Sequence, residues 1–165
     1  MNNLISDLTS MNGRINRQRW WIGVIVLIII AIIVAWILGM ILGTTNVGAL
    51  INSDGTVNQA AVNALTTKAG WQGLITGIVF AYPQLALNLK RRHDRNNNGY
   101  DAIALVAISI IWQLLTALGV TVAVGVVTPI VGVIILVLAI WLLVQCGFLK
   151  GTAGPNTYGP DPLGG

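Results

Sequence analysis

The only histidine of this chain, His93, is followed directly by Asp94 and sits in a run of bases, Lys90-Arg91-Arg92-His93-Asp94-Arg95. An imidazole beside a carboxylate suits three chemistries: a general base with its orienting acid, part of a metal site, or, with the arginines, a seat for an anion. The first two need partners. A hydrolytic triad requires a Ser or Cys nucleophile near the base. Ser109 and Cys146 lie in apolar runs, and Ser6 and Ser10 are remote in sequence. A metal ion wants three or four ligands, and the chain offers one His, one Cys, five Asp and no Glu. The expectation is no catalytic residue, no metal and no cofactor. The bases then meet anionic headgroups, and Asp94 pairs with an Arg.

Two other segments carry polar chemistry. Gly13-Arg14-Ile15-Asn16-Arg17-Gln18-Arg19 leads into Trp20 and Trp21. On a helix Arg14 and Arg17 share a face, and the tryptophans fit an interfacial belt. The tail, 150–165, is rich in Gly and Pro and should be non-helical; it holds Asn156, Tyr158 and Asp161.

The elements that must position these groups follow from composition. Hydrophobic residues make up 55% of the chain and charged ones 8%, against roughly 25% charged in a soluble domain. So few charges cannot cover a water-exposed surface, so the missing polar surface must face lipid. The reading is an all-α integral membrane four-helix bundle, one domain over 1–165, with spans at about 21–43, 71–89, 102–123 and 128–149. Pro83 interrupts the second span. The third and fourth come from one apolar block, broken between Gly119 and Pro129 by Gly125, Thr128 and Pro129. One very long helix or two re-entrant halves are the alternatives. The first run exceeds a signal h-region and should be retained as an anchor.

Between the spans lie an external loop, 44–70, and a cytoplasmic loop, 90–101. In the external loop Val57, Ala60, Ala61, Ala64 and Leu65 recur at helical spacing, with Ser53 or Asp54 as cap. A short helix on the outer leaflet and a solvated loop both fit. Leu4, Ile5, Leu8 and Met11 predict a short amphipathic helix over Asn2 to Met11. Eight of the nine bases then fall on one side, with Lys68 alone opposite. Positive-inside asymmetry places both termini and the loop 90–101 in the cytoplasm. Because these bases flank apolar spans, they do not point to nucleic acid.

Inside the spans the polar residues are Gln84, Asn88, Gln113, Thr116 and Gln145. No charge sits at the centre of a span. Ion-coupled transport generally needs one, and small multidrug exporters of similar size depend on a membrane carboxylate. Gly39 with Gly43, and Gly73 with Gly77, form small-x-x-x-small patterns that suit helix packing or self-association. Cys146 is a small packing residue.

Three segments in order resemble a bacterial inner-membrane family known as domain of unknown function 805. Gly13, Arg14 and Arg17 match its Gly-Arg-x-x-Arg segment, followed by the aromatic pair Trp20 and Trp21. Lys90, Arg91, His93, Asp94 and Gly99 match its basic-basic-Leu-His-Asp loop, with Arg92 in place of Leu, Asn98 in place of Ser and Tyr100 in place of Trp. Asn156, Tyr158, Gly159, Pro160, Asp161 and Pro162 match its tail. The resemblance implies no activity, and all three motifs fall on the cytoplasmic side of the four-helix reading. They are expected to form one polar, anion-accepting cap in which Asp94 and Asp161 pair with Arg14, Arg17 or Arg91. Three functions fit: a non-catalytic structural or accessory subunit of a membrane complex; a module sensing an anionic headgroup or phosphate; or an oligomeric passive channel lined by Gln84, Gln113 and Gln145. The expected partners are membrane lipids, further copies of the chain or other membrane subunits.

Overall fold

The computed structural model describes residues 4–43, 47–123 and 127–164. Among them every regular element is helical, apart from two isolated bridges, Ile51 to Val57 and Asn156 to Gly159. The helices are α1 (Leu4–Thr9), α2 (Arg17–Ile41), α3 (Gln59–Asp94), α4 (Tyr100–Ala117), α5 (Val120–Ala123) and α6 (Val127–Leu143). A 3-10 turn, Val47–Leu50, precedes α3, and a π turn, Val144–Phe148, ends α6. Three helices are long and apolar enough to cross a membrane: α2, α4, and α6 with its π turn. None of the most apolar stretch of α2 is buried within the protein, and only 6% of that of α6. Such continuous apolar surface is foreign to soluble monomers.

Helix α3 departs most from the sequence reading. It has 36 residues, about 54 Å at ~1.5 Å per residue. It contains the expected second span and extends beyond both ends. The stretch expected as the external loop 44–70, of which residues 44–46 lie outside the described residues, is helical from Gln59. Its cap is Asn58, whose side chain accepts from Ala61 N at 3.1 Å. Neither Ser53 nor Asp54 serves: Asp54 Oδ1 instead accepts from Thr56 N at 3.0 Å and Thr56 Oγ1 at 2.6 Å, closing its own turn. At the other end the expected loop 90–101 is helical through Asp94 and again from Tyr100. Pro83 removes one N–H from the ladder, and the helix continues through it. Lys90 and Arg92 find their carboxylates on other elements, and Arg91 finds Asp94 one turn along the same helix.

Helix α3 packs chiefly on α4, then on α2, while α6 leans on α4. The α3–α4 contact is close enough to need glycine: a Cβ on Gly70 would lie 2.3 Å from Ala117 N. Ile15, Trp20, Leu87, Ala102, Leu105, Leu142 and Cys146 form one buried cluster near the basic end. Helix α1 ends at Thr9, short of the Met11 expected, and packs against α3, with residues 2 and 3 of the expected helix outside the described residues; Tyr82 Oη donates to Thr9 O at 3.0 Å. Helix α4 stops at Ala117, and Gly119 turns the chain at a φ of +75. Thr128 Oγ1 donates to Thr121 O at 2.8 Å across the turn. Gly125 lies outside the described residues.

Candidate functional site

The site begins with carbonyls that helices cannot satisfy. The last four C=O groups of any helix lack an internal partner, and a π turn leaves its own strands of them misaligned for the usual ladder. At the end of α6 these oxygens meet donors from elsewhere. Arg91 Nε donates to Cys146 O at 2.7 Å, and Arg91 Nη2 to Leu149 O. Trp21 Nε1 donates to Gly147 O at 3.1 Å, and Arg17 Nη1 to Phe148 O at 3.0 Å. Gly147 has no side chain because Trp21 and Trp20 pack where one would stand, 2.9 and 3.1 Å from an ideal Cβ. Cations at a helix C-terminus also oppose its dipole.

The end of α3 is closed by the tail. Thr152 donates to Asp94 O through N at 2.8 Å and through Oγ1 at 2.9 Å. Asn156 Nδ2 donates to His93 O at 2.9 Å, and its Oδ1 accepts from Tyr158 N. Tyr158 lies flat on His93, with ring centroids 4.0 Å apart and 4° between planes. His93 Nδ1 is 3.3 Å from Gly13 O; a carbonyl only accepts, so this nitrogen carries the proton. Burial pushes the imidazole pKa below its ordinary value, partly opposed by that hydrogen bond.

Asp94 is the hub. Arg14 Nη2 stands 3.0 Å from its Oδ1, and Arg91 Nη1 pairs with its Oδ2. The same Arg14 reaches Thr152 O at 2.7 Å, Gly154 O at 2.8 Å and Gly159 O at 3.1 Å. One guanidinium thus ties the start of the chain to α3 and to the tail, using donors that only Arg has in sufficient number. The tail can cross Asp94 only at Gly151, where a Cβ would lie 2.0 Å from Oδ2.

Two further ion pairs flank the hub. Asp7 accepts from Arg19 Nε at 2.8 Å, and Lys90 Nζ stands 3.7 Å from its Oδ1 while donating to Ser6 O at 2.5 Å. Burial lowers the Lys90 pKa, and the Asp7 charge partly restores it. Asp101 takes Nε and Nη2 of Arg92, at 3.1 and 3.0 Å, and Trp141 Nε1 at 3.2 Å. Arg92 and Arg95 share Gln145 Oε1.

The structure therefore brings Arg14, Arg91, His93, Asp94, Asn156 and Tyr158 together. Three expected partnerships take another form. Arg17 bonds a carbonyl rather than a carboxylate. Lys90 belongs to the Asp7 pair. Asp161 accepts from Gly154 N at 2.8 Å and Leu163 N at 2.9 Å instead of from an arginine; these N–H groups hold its pKa below the ordinary carboxylate value. A short turn with unpaired N–H groups is a nearer acceptor's partner than a distant guanidinium. Sequence reading missed Asp7, Asp101, Gln145, Gly151 and Thr152. Asp7 was visible in principle: it sits three residues after Leu4, on the apolar face of α1, where a carboxylate needs a cation. Gln145 joins the arginines and is not with Gln84 and Gln113, which line a separate cavity. No cluster of three or more metal-ligating side chains occurs among the described residues.

A family model described as a protein of unknown function, DUF805, matches residues 8–160. The chain belongs to this family. No curated protein and no solved structure matches it. The DUF805 match spans the Arg segment, the His-Asp segment and the tail through Pro160, the three segments that meet here in one three-way clasp.

Proposed function

We propose that this DUF805 protein is a multi-pass protein of the bacterial inner membrane whose α2, α3, α4 and α6 cross the bilayer as a bundle, with the clasp and both termini in the cytoplasm. It serves as a structural or accessory subunit of a membrane complex, without catalysis of its own. Support for the membrane reading comes from the three long apolar helices and their uncovered faces. Support for the orientation comes from Arg14, Arg17, Arg19, Lys90, Arg91, Arg92, Arg95 and Lys150 at one end and Lys68 at the other. The observation that carries the functional reading is the fate of the ionisable groups. Asp7, Asp94 and Asp101 each hold cations from another segment, so the polar set fixes the architecture of the basic end.

Ser10→Cys should react with a membrane-impermeant maleimide only from the cytoplasmic side and Ser53→Cys only from outside; the reverse pattern sinks the orientation. Affinity purification of the tagged chain from cross-linked native membranes should recover a second membrane protein in fixed ratio. Recovery of the chain alone would refute the accessory role.

One observation favours anionic-headgroup sensing as a second reading. A cavity of about 570 Å³ beside the clasp carries Arg17 and Lys150 on its lining, and Lys150 has no carboxylate partner among the described residues. Replacing both by Ala should lower retention of phosphatidylglycerol in native mass spectrometry several-fold at unchanged melting temperature. Unchanged retention would remove this reading.

A further inference from the structure

We propose that the cavity between α2, α3, α4 and α6, on the apolar side of the clasp, binds an uncharged lipid that carries a hydroxyl or carbonyl head on a long apolar chain. The proposal rests on the membrane reading above. The cavity holds about 690 Å³, within the usual range of ~300–1,000 Å³ for small-molecule sites. Its α3 wall runs from Ala69 to Asn88 along one helix face, about 28 Å at ~1.5 Å per residue. That shape suits an extended chain rather than a compact solute.

Two features select the occupant. No Asp, Glu, Lys, Arg or His lines the cavity, so a charged ligand would be desolvated without a counter-ion. Yet four amides do line it, and they divide into two kinds. Gln72 Nε2 donates to Ala35 O at 2.8 Å, and Asn88 Oδ1 accepts from Trp20 Nε1 at 3.0 Å; these tie α3 to α2. Gln84, which is exposed, and Gln113, half-buried, line the cavity with no hydrogen bond among the described residues. An amide at bilayer depth is stable when something supplies its donors and acceptors. The protein leaves that to the occupant, whose neutral polar head fits one amide while its chain follows the groove.

The glycine pattern makes the room. A Cβ on Gly73 would lie 2.3 Å from Gln113 Oε1, so this glycine lets the amide lie against α3. A Cβ on Gly77 would meet only Ile110 Cγ1, at 3.8 Å. Gly73 and Gly77 thus open a groove here instead of bringing two backbones into contact, which Gly70 does.

The test uses the full chain in nanodiscs with trace photoreactive lipids: a diazirine-tailed diacylglycerol, an azido isoprenoid quinone, and phosphatidylglycerol with the same diazirine tail. Expected is labelling of peptides spanning Gly73–Asn88 by one or both neutral probes, at least five-fold over the charged probe; the stronger neutral arm identifies the source. Gly77→Leu should cut that labelling about ten-fold. Gln84→Leu and Gln113→Leu should erase the preference for the neutral probes at unchanged or higher melting temperature, because neither amide braces the fold. Equal labelling by all probes, labelling spread over residues outside the cavity lining, or a lowered melting temperature of both Gln variants overturns the site. A chain that fails to float with liposomes overturns the membrane reading itself, and the site with it.

Discussion

At the basic end Asp94 lies between Arg14 and Arg91 with side chains 4%, 1% and 1% exposed. At the opposite end Asp54 is fully exposed, and its pKa is held down by Thr56 two residues away. Both carboxylates are satisfied, but by different means. Asp54 is served by its own turn and joins nothing to anything. Asp94 is served by partners 80 residues upstream and three residues upstream, and its backbone by the tail. Lys68, the base at the far end, donates to the carbonyl of Gly43, 25 residues upstream, and meets no carboxylate among the described residues. A charge matched locally shapes a loop; a charge matched across the chain decides which segments stay together.

Removing Asp94 should have the largest effect. Asp94→Ala leaves two buried guanidinium groups facing each other, a loss of about 3–5 kcal/mol, read as a lower midpoint of unfolding in detergent. If Asp94→Ala unfolds at the wild-type midpoint, the two ends do not differ as described. Next comes Gly151→Ala. Its Cβ overlaps the Asp94 carboxylate, and the tail must lift, at about 1–3 kcal/mol. Limited proteolysis should cut after Lys150 in the variant well before wild type; equal rates would mean the tail is not clamped there.

Smaller still is a pH effect. Burial holds His93 below its ordinary value of 6.5, so as pH falls the unfolded chain takes up this proton first. Stability is therefore full above pH 6.5 and declines below it, towards the folded-state value. Asp161 is held below its ordinary 3.8 and keeps its contribution across that window. The melting temperature should drop by a few degrees between pH 7.5 and 5.5, and His93→Gln should flatten the slope. A slope that survives in His93→Gln assigns the titration elsewhere. At the small end, Asp54→Ala should leave the midpoint unchanged within error; a marked loss would show that the far end also carries long-range charge coupling.

Much of this contrast was legible in the residues. The order Arg14, Asp94, tail and the lopsided placement of bases already assigned the polar groups to one end. What sequence could not give was continuity and partner choice. Pro83 read as an interruption, and the run Lys90–Arg92 as a cytoplasmic loop, because bases beyond an apolar span mark where it meets water. The helix continues through the bases, whose side chains are received by Asp7, Asp101, Gln145 and the carbonyls of the π turn on other elements and by Asp94 on α3 itself. Asp161 was misassigned for the opposite reason: its partners are the two nearby N–H groups that a charge-pairing argument does not count.

Arg14 also sets a timetable. One of its acceptors, Gly159 O, lies 145 residues later. At ~5–20 residues per second a ribosome needs on the order of 10 s to deliver it. Through that interval the guanidinium waits for its tail acceptors and rests on headgroups, on water or, once it is made, on Asp94, itself 80 residues later. Residues 152–159 thus lock a segment made long before them, and a nascent chain stalled before Thr152 would present an open basic end to whatever inspects unfinished membrane proteins.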